Sequence, residues 1–296
     1  MDGSSQTPAI SNTQIEGYRK DGYIVVADIF SADDLQQMRA ALDEMVAGAA
    51  GITENNAIYD LEVSHTPAAP RVRRIKDPFY NHPVFTKMAR HPRLISALTG
   101  LLGPNIRMHG SKINLKSAEY GASVEWHQDW AFYPHTNDDV LAVGVMLDDM
   151  TQDNGPLLMI PATHTGPTYD HHQDGRFMGA IDPDACYLDF SKAEKVTGTA
   201  GSCSFHHVRT IHGSAQNTSG TDRRLLLFQI AAGDAWDING IKEANWEEYC
   251  NTMLAGTASI EPRQVPTPIR LPYPVAEREG SIYENQSVLK NRYFKS

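Results

Sequence analysis

The chain has 296 residues, 41% of them hydrophobic and 21% charged, a balance that belongs to a globular protein and not to a disordered, fibrous or coiled-coil one. A formal net charge of −10, from 26 basic and 36 acidic side chains, argues against nucleic acid as a partner, because phosphates call for a basic footprint. No apolar run approaches the roughly 20 residues of a membrane span, and the opening MDGSSQTPAI has no basic leader before an apolar stretch, so no membrane partner and a cytoplasmic location are expected.

In chain order, the first ten residues read as a frayed tail. A short helix starts at Asn12 or Thr13, carries Ile15 and Tyr18, and ends at Gly22; Tyr23–Ile29 reads as a strand. Ser31 with Asp34 makes a weakened capping box ahead of Leu35, Met38, Leu42, Met45 and Val46 at helical spacing. Residues 48–70 read as a loop, with the basic run Arg71, Arg73, Arg74 and Lys76 behind it, and 48–76 together as a mobile lid. Two short helices follow at Pro83–Arg90 and Pro92–Leu101, each opened by proline.

Beyond Pro104 the pattern turns to short strands: Ile106–Gly110, Ile113–Leu115, Val140–Leu147, Leu157–Ile160, the stretch with Phe205, Val208 and Ile211, and Leu225–Ala231. Variable loops with turn signals separate them, which favours an antiparallel barrel or sandwich over βαβ units. One more helix is expected within 241–256, holding Trp246, Tyr249 and Met253, and the tail from Pro262 is expected to wrap the surface. The organisation expected is one domain over 1–296, with N-terminal helical elements to about 102, a β core over about 104–232 and a C-terminal helix and tail.

Three widely spaced cysteines form neither a disulfide framework nor a zinc knuckle. The informative excess is in histidine, with 12 residues concentrated towards the centre. In Trp126-His127-Gln128-Asp129-Trp130, residues two apart on an extended segment point the same way, so His127 and Asp129 can converge on one ion. A third ligand from a distant strand would complete one face of an octahedron and leave three positions open. His206, His207 and His212 are candidates for it; His164, His171 and His172 are rivals in a loop-like stretch. Arg223, at the mouth of an apolar strand, is shaped to grip a carboxylate, with Arg224 competing for the role. Trp126, Trp130, Phe132 and Tyr133 could wall a pocket or simply pack a core.

These residues carry a resemblance. HQD at 127–129, HGSAQNTSGTDRR at 212–224, SKINLK at 111–116 and DNGPLLMIPATH at 153–164 resemble the phytanoyl-CoA dioxygenase family of iron(II)/2-oxoglutarate-dependent oxygenases, over roughly Tyr18–Trp236. The resemblance implies a mainly β fold with flanking helices around a double-stranded β-helix (jelly-roll, cupin-like) core, one Fe(II), and 2-oxoglutarate and O2 as cosubstrates. It places the metal triad on His127, Asp129 and His212, and the anchor of the far carboxylate of 2-oxoglutarate on Arg223 with Ser214 beside it. Lys112 and Asn114, with Gln128 at the rim, are the further candidates for the cosubstrate. One departure from the family pattern is Ala162, where glycine is usual. The expected reaction is hydroxylation of an unactivated C–H bond of a small molecule, coupled to decarboxylation of 2-oxoglutarate to succinate and CO2, in a monomer or homodimer. The alternatives are an acyl-CoA substrate, with Arg71–Lys76 as phosphate clamp, a desaturase or epoxidase of the same cofactor class, or a non-catalytic binding protein. The overall charge and the carboxylates of the His135–Asp139 loop favour a free small molecule over a CoA thioester.

Overall fold

A computed structural model describes residues 8–118, 121–276 and 282–294; most of the N-terminal tail, residues 1–7, lies outside the described residues. Fourteen strands, numbered along the chain, are arranged in three sheets. The major sheet runs, in spatial order, β1 (Tyr23–Val26), β11 (Cys203–His207), β6 (Val140–Met146), β13 (Arg223–Ala232), β4 (Ile106–Lys116), β3 (Val72–Lys76) and β2 (Tyr59–Leu61), with β14 (Met253–Ala255) on the free end of β4. The minor sheet is β10 (Glu194–Val196), β7 (Leu157–Met159), β12 (His212–Ser214) and β5 (Val124–His127). A two-strand ribbon, β8 (His172–Gln173) with β9 (Arg176–Phe177), lies apart. All the sheet pairings are antiparallel.

Strand periodicity decides which side chains reach the interior. On β13, Leu226, Phe228 and Ile230 face the main apolar core, whereas Arg223, Leu225, Leu227 and Gln229 face the cleft between the sheets. Across the ladder, Lys116 pairs with Arg223, Asn114 with Leu225 and Lys112 with Leu227, so β4 sends Lys112, Asn114 and Lys116 to the same side. The outer face is covered by helices α1 (Asn12–Asp21), α2 (Ala32–Ala47), α4 (Pro83–Ala89) and α5 (Pro92–Leu102), with one-turn α3 (Pro78–Asn81) leading into α4. Because both faces are covered, β6 is buried along its whole length and shows no polar alternation.

The caps follow the sequence. Ser31 and Asp34 complete a capping box on α2, and Gly22 ends α1 in the left-handed region at φ 81°. A Cβ at Gly22 would stand 2.5 Å from His164 Nδ1 and 2.6 Å from Thr210 Oγ1, so backbone conformation and crowding both demand glycine there. Ala162 also adopts the left-handed region, at φ 61°, an uncommon conformation for a residue with a Cβ.

Four expectations change. Residues 48–76 are not a bare loop: β2 and β3 extend the major sheet, and a lid over this whole segment is incompatible with that pairing. The expected first strand ends at Val26, short of Ile29. The helix expected within 241–256 is only α6 (Trp246–Asn251), because Met253 pairs with Arg107 in the sheet. The tail does more than wrap the surface. Its helix α7 (Ile282–Ser287) carries Gln286, which accepts from the backbone of Glu125 and donates to Gly179 O.

Candidate metal and cosubstrate site

The cleft between the sheets ends where β5 and β12 run side by side, with His127 directly opposite His212 in the ladder. Their imidazole centroids are 4.1 Å apart. Asp129 arrives as the extended reading expects: β5 stops at His127, but Gln128 stays extended at φ −113° and ψ 129°, so Asp129 points to the same side, its carboxylate within 3.9 Å of His127 Nε2, before the chain turns into 3-10 helix over Asp129–Ala131. One ligand atom from each of His127, Asp129 and His212 lies within 4.8 Å of the others, all three residues being buried.

The protonation states suit a cation. His127 Nδ1 donates to Glu125 O at 2.8 Å and His212 Nδ1 donates to Thr210 O at 3.0 Å, which leaves each Nε2 with a lone pair. Burial holds both rings neutral, pushing His127 down to about 4 and His212 well below the usual histidine value. For Asp129, burial pushes the carboxyl upward, but His206, His212, Lys112 and His127 outweigh it and keep it ionised well below the ordinary carboxylate range. Two neutral imidazoles and a carboxylate fit a borderline divalent ion such as iron(II).

At the far end of the cleft Arg223 is buried, with Nη2 donating to Gly155 O at 2.9 Å and Nε and Nη1 without partners. Beside it, Lys116 Nζ donates to Ser214 Oγ at 2.8 Å and to Ala215 O. Burial, then the neighbouring guanidinium, push the Lys116 ammonium well below its ordinary pKa. Neither cation is ion-paired among the described residues, and two buried like charges with open donors fit a carboxylate that comes from outside the chain. Arg224, one residue on, faces outward into a two-bond pair with Asp148, at 2.9 and 2.6 Å.

Asn114 lines the cleft midway, with its buried Oδ1 unpartnered, and Lys112 stands at the metal end, lining both the cleft and a wider cavity of about 350 Å³ beside it. Gln128 is not at the rim. It is fully buried, donates to Pro167 O and Arg209 O, accepts from Tyr169 N, and so braces the loop behind the triad. Of the aromatics, Phe132 and Tyr133 line the wider cavity. Trp126 turns the other way, onto Phe190, Tyr293 and Phe294, and Trp130 donates to Pro268 O. The rival histidines are engaged elsewhere: His164 with Arg19 O, His171 with the Gln128 amide, and His172 with Asp170.

Three residues at the site, Lys116, Ile282 and Tyr283, escaped the sequence reading. Lys116 continues the i, i+2 row of Lys112 and Asn114 and was legible by that period. His206, offered by the sequence as a third ligand, instead packs its ring 4.6 Å from His212 and puts Nε2 3.8 Å from Asp129, beside the cluster of His127, Asp129 and His212. Tyr283 and Ile282 come from the C-terminal helix, and no local signal marked them.

The two antiparallel sheets, with a His/Asp cluster at one end of the cleft between them and two buried cations at the other, have the form of a jelly-roll oxygenase. The phytanoyl-CoA dioxygenase (PhyH) family profile matches residues 18–225, and the chain belongs to that family. It is an iron(II)- and 2-oxoglutarate-dependent dioxygenase. A probable alpha-ketoglutarate-dependent hypophosphite dioxygenase of Stutzerimonas stutzeri is 37% identical over 94% of this chain and 97% of its own length. The ectoine dioxygenase of Bordetella bronchiseptica is 28% identical, covering 71% of this chain and 72% of its own. Among solved structures, the apo form of EctD from S. alaskensis superposes with a TM-score of 0.67 at 24% identity over 91% of each chain. Among the described residues, no helix is long and apolar enough to cross a membrane.

Proposed function

We propose that His127, Asp129 and His212 hold the iron, that Arg223, Lys116 and Ser214 grip the far carboxylate of 2-oxoglutarate with Asn114 along its length, and that the prime substrate is a small anion or zwitterion whose negative group pairs with Lys112. When bound, iron with 2-oxoglutarate and O2 supplies an oxidant strong enough for unactivated bonds, at the expense of decarboxylating the cosubstrate. The chain's own contribution is placement: a buried cleft between the sheets that would hold the cosubstrate, and a neighbouring cavity in which the target atom would lie next to the triad.

The observation that carries the substrate class is the Lys112 ammonium. It makes no hydrogen bond or ion pair with any described residue, faces the cavity beside the triad, and feels Asp129 and Arg74 only through space. Burial lowers its pKa, and a bound anion would repay that cost. Phe132, Tyr133 and Phe177 give the cavity apolar walls, and Gln229 and Asn285 give it polar contacts. The basic run does not support a CoA clamp. Arg73 pairs with Glu284, and Arg74 and Lys76 share Asp60, so three of the four cations are engaged inside the fold by two carboxylates. The carboxylates after the triad do not guard an entrance either: Asp138 pairs with Arg209 and Asp139 with Arg263.

The test is succinate formation with hypophosphite, ectoine, free carboxylic acids and acyl-CoA thioesters, each in wild type and Lys112→Met. A compact anion or zwitterion is expected to drive turnover, and Lys112→Met to raise its KM at least tenfold while the 2-oxoglutarate Kd stays within a factor of three. Turnover confined to acyl-CoAs would refute the substrate class. A Lys112→Met variant that loses 2-oxoglutarate binding instead would return Lys112 to the cosubstrate.

A further inference from the structure

A second cluster of ligand-type side chains lies beside the first, separated from it by Tyr133. His109, His135 and Asp237 bring one nitrogen or carboxylate oxygen each to within 4.8 Å of one another. They come from three separate segments. His109 occupies the register shift between β4 and β13, where Gln229 pairs with Gly110 but Ile230 pairs with Met108, so the extra residue re-aims its side chain out of the ladder's alternation. His135 and Asp237 face each other in an isolated antiparallel bridge, clamped by Thr136 N donating to Trp236 O and Ile238 N to Pro134 O, both at 2.9 Å.

The chemistry repeats that of the triad. His135 Nδ1 donates to Tyr133 O, two residues back, at 2.8 Å, as His127 donates to Glu125 O and His212 to Thr210 O. The lone pair of His135 is therefore on Nε2. That atom has no partner, in a side chain only 1% exposed. A buried, unpartnered acceptor keeps its full desolvation penalty unless something fills the place. His109 packs its ring 4.8 Å from that of His135, and its Nε2 lies 3.9 Å from Asp237 Oδ2. A cavity leads from solvent to His109 past Asp77, Glu243 and Glu248, an acidic approach. Lys242 on its wall, and Arg107, which donates to Ala235 O, are the opposing charges nearby.

We propose that His109, His135 and Asp237 form a second divalent-metal site, suited by its two imidazoles and one carboxylate to zinc or a similar borderline ion. Such an ion would tie the turn after the triad to the end of β13, beneath Tyr133, whose ring lies 4.8 Å from that of His109. This site is independent of the iron site and does not rest on the substrate proposed above.

Cobalt(II) is the probe, counted by equilibrium dialysis of the metal-stripped full chain at micromolar free ion. Wild type is expected to bind two equivalents. A His127→Ala/Asp129→Ala double variant is expected to keep one, and His109→Ala/His135→Ala to keep one at the triad. Zinc is expected to raise the Tm of the triad double variant, and Asp237→Asn in that background to abolish the rise. A single equivalent in wild type, or none in the triad double variant, overturns the proposal even if the His109/His135 variant fails to fold. Two equivalents retained in a folded His109→Ala/His135→Ala protein would overturn it as well.

Discussion

Replacing Arg223 by methionine separates binding of the cosubstrate from stability of the fold, and the structure sets the size of both effects. The guanidinium is 2% exposed, has one hydrogen bond, to Gly155 O, and leaves Nε and Nη1 open. Removing it from the free protein forfeits that one bond, worth about 1 kcal/mol, but also removes an unpaired buried charge, so the stability without cosubstrate should change little or rise. With 2-oxoglutarate the balance reverses. Loss of a buried charge-paired donor costs about 2–5 kcal/mol, which is about 30-fold to 5000-fold in Kd. At a concentration of 100 times the wild-type Kd, ligand binding stabilises wild type by about 2.7 kcal/mol and a 30-fold weaker variant by only about 0.9 kcal/mol. Urea unfolding of the anaerobic, metal-loaded proteins with and without 2-oxoglutarate measures both quantities. Arg224→Met is the control, since its side chain is committed to Asp148 outside the cleft. An Arg223→Met variant that keeps the full ligand-induced stabilisation, or an Arg224→Met variant that alone loses it, would refute the assignment and place the β13 register one residue off.

Alanine at His127, Asp129 or His212 should reduce 2-oxoglutarate-dependent succinate formation to background while far-UV circular dichroism keeps its wild-type shape, because these side chains line the cleft and not the apolar core; full turnover in any one would remove it from the triad. Acid should destabilise the metal-free protein well before its carboxylates titrate. His127 is pushed by burial down to about 4, and His171 and His207 to about 3, from an ordinary value of 6.5, so their contribution is complete above 6.5 and is lost as pH falls from there towards 3. Each histidine should cost about 1 kcal/mol between pH 7 and 5.5, read as a lower urea midpoint; equal midpoints at the two pH values would contradict their burial as neutral rings.

The local chemistry was legible in the chain itself. A capping serine with an aspartate three residues on, prolines opening α4 and α5, and glycine ending α1 are choices that act over a few residues, and they produced the elements expected. The convergence of His127, Asp129 and His212 was legible too, because His127 and Asp129 are two residues apart and the motif around His212 is distinctive. The residues alone left Arg223 and Arg224 in competition and the resemblance placed the role on Arg223; in the ladder it is Arg223 that faces the cleft with Leu225 and Leu227.

What tertiary structure alone decided depends on chain segments distant in sequence. Three-residue β2 carries too little pattern to mark a strand, and its pairing with β3 pays off only once β4 is already in the sheet. Tyr283 and Ile282 reach the cleft because the tail, after a long irregular course, docks α7 against β5 through Gln286, and no residue near them announces that return. The basic run shows the same limit: Arg74 and Lys76 look free in the sequence, and only the fold brings Asp60 between them. Alternation along a strand fixes which way a side chain points, whereas what it meets there is set by pairings whose partners lie tens to hundreds of residues away.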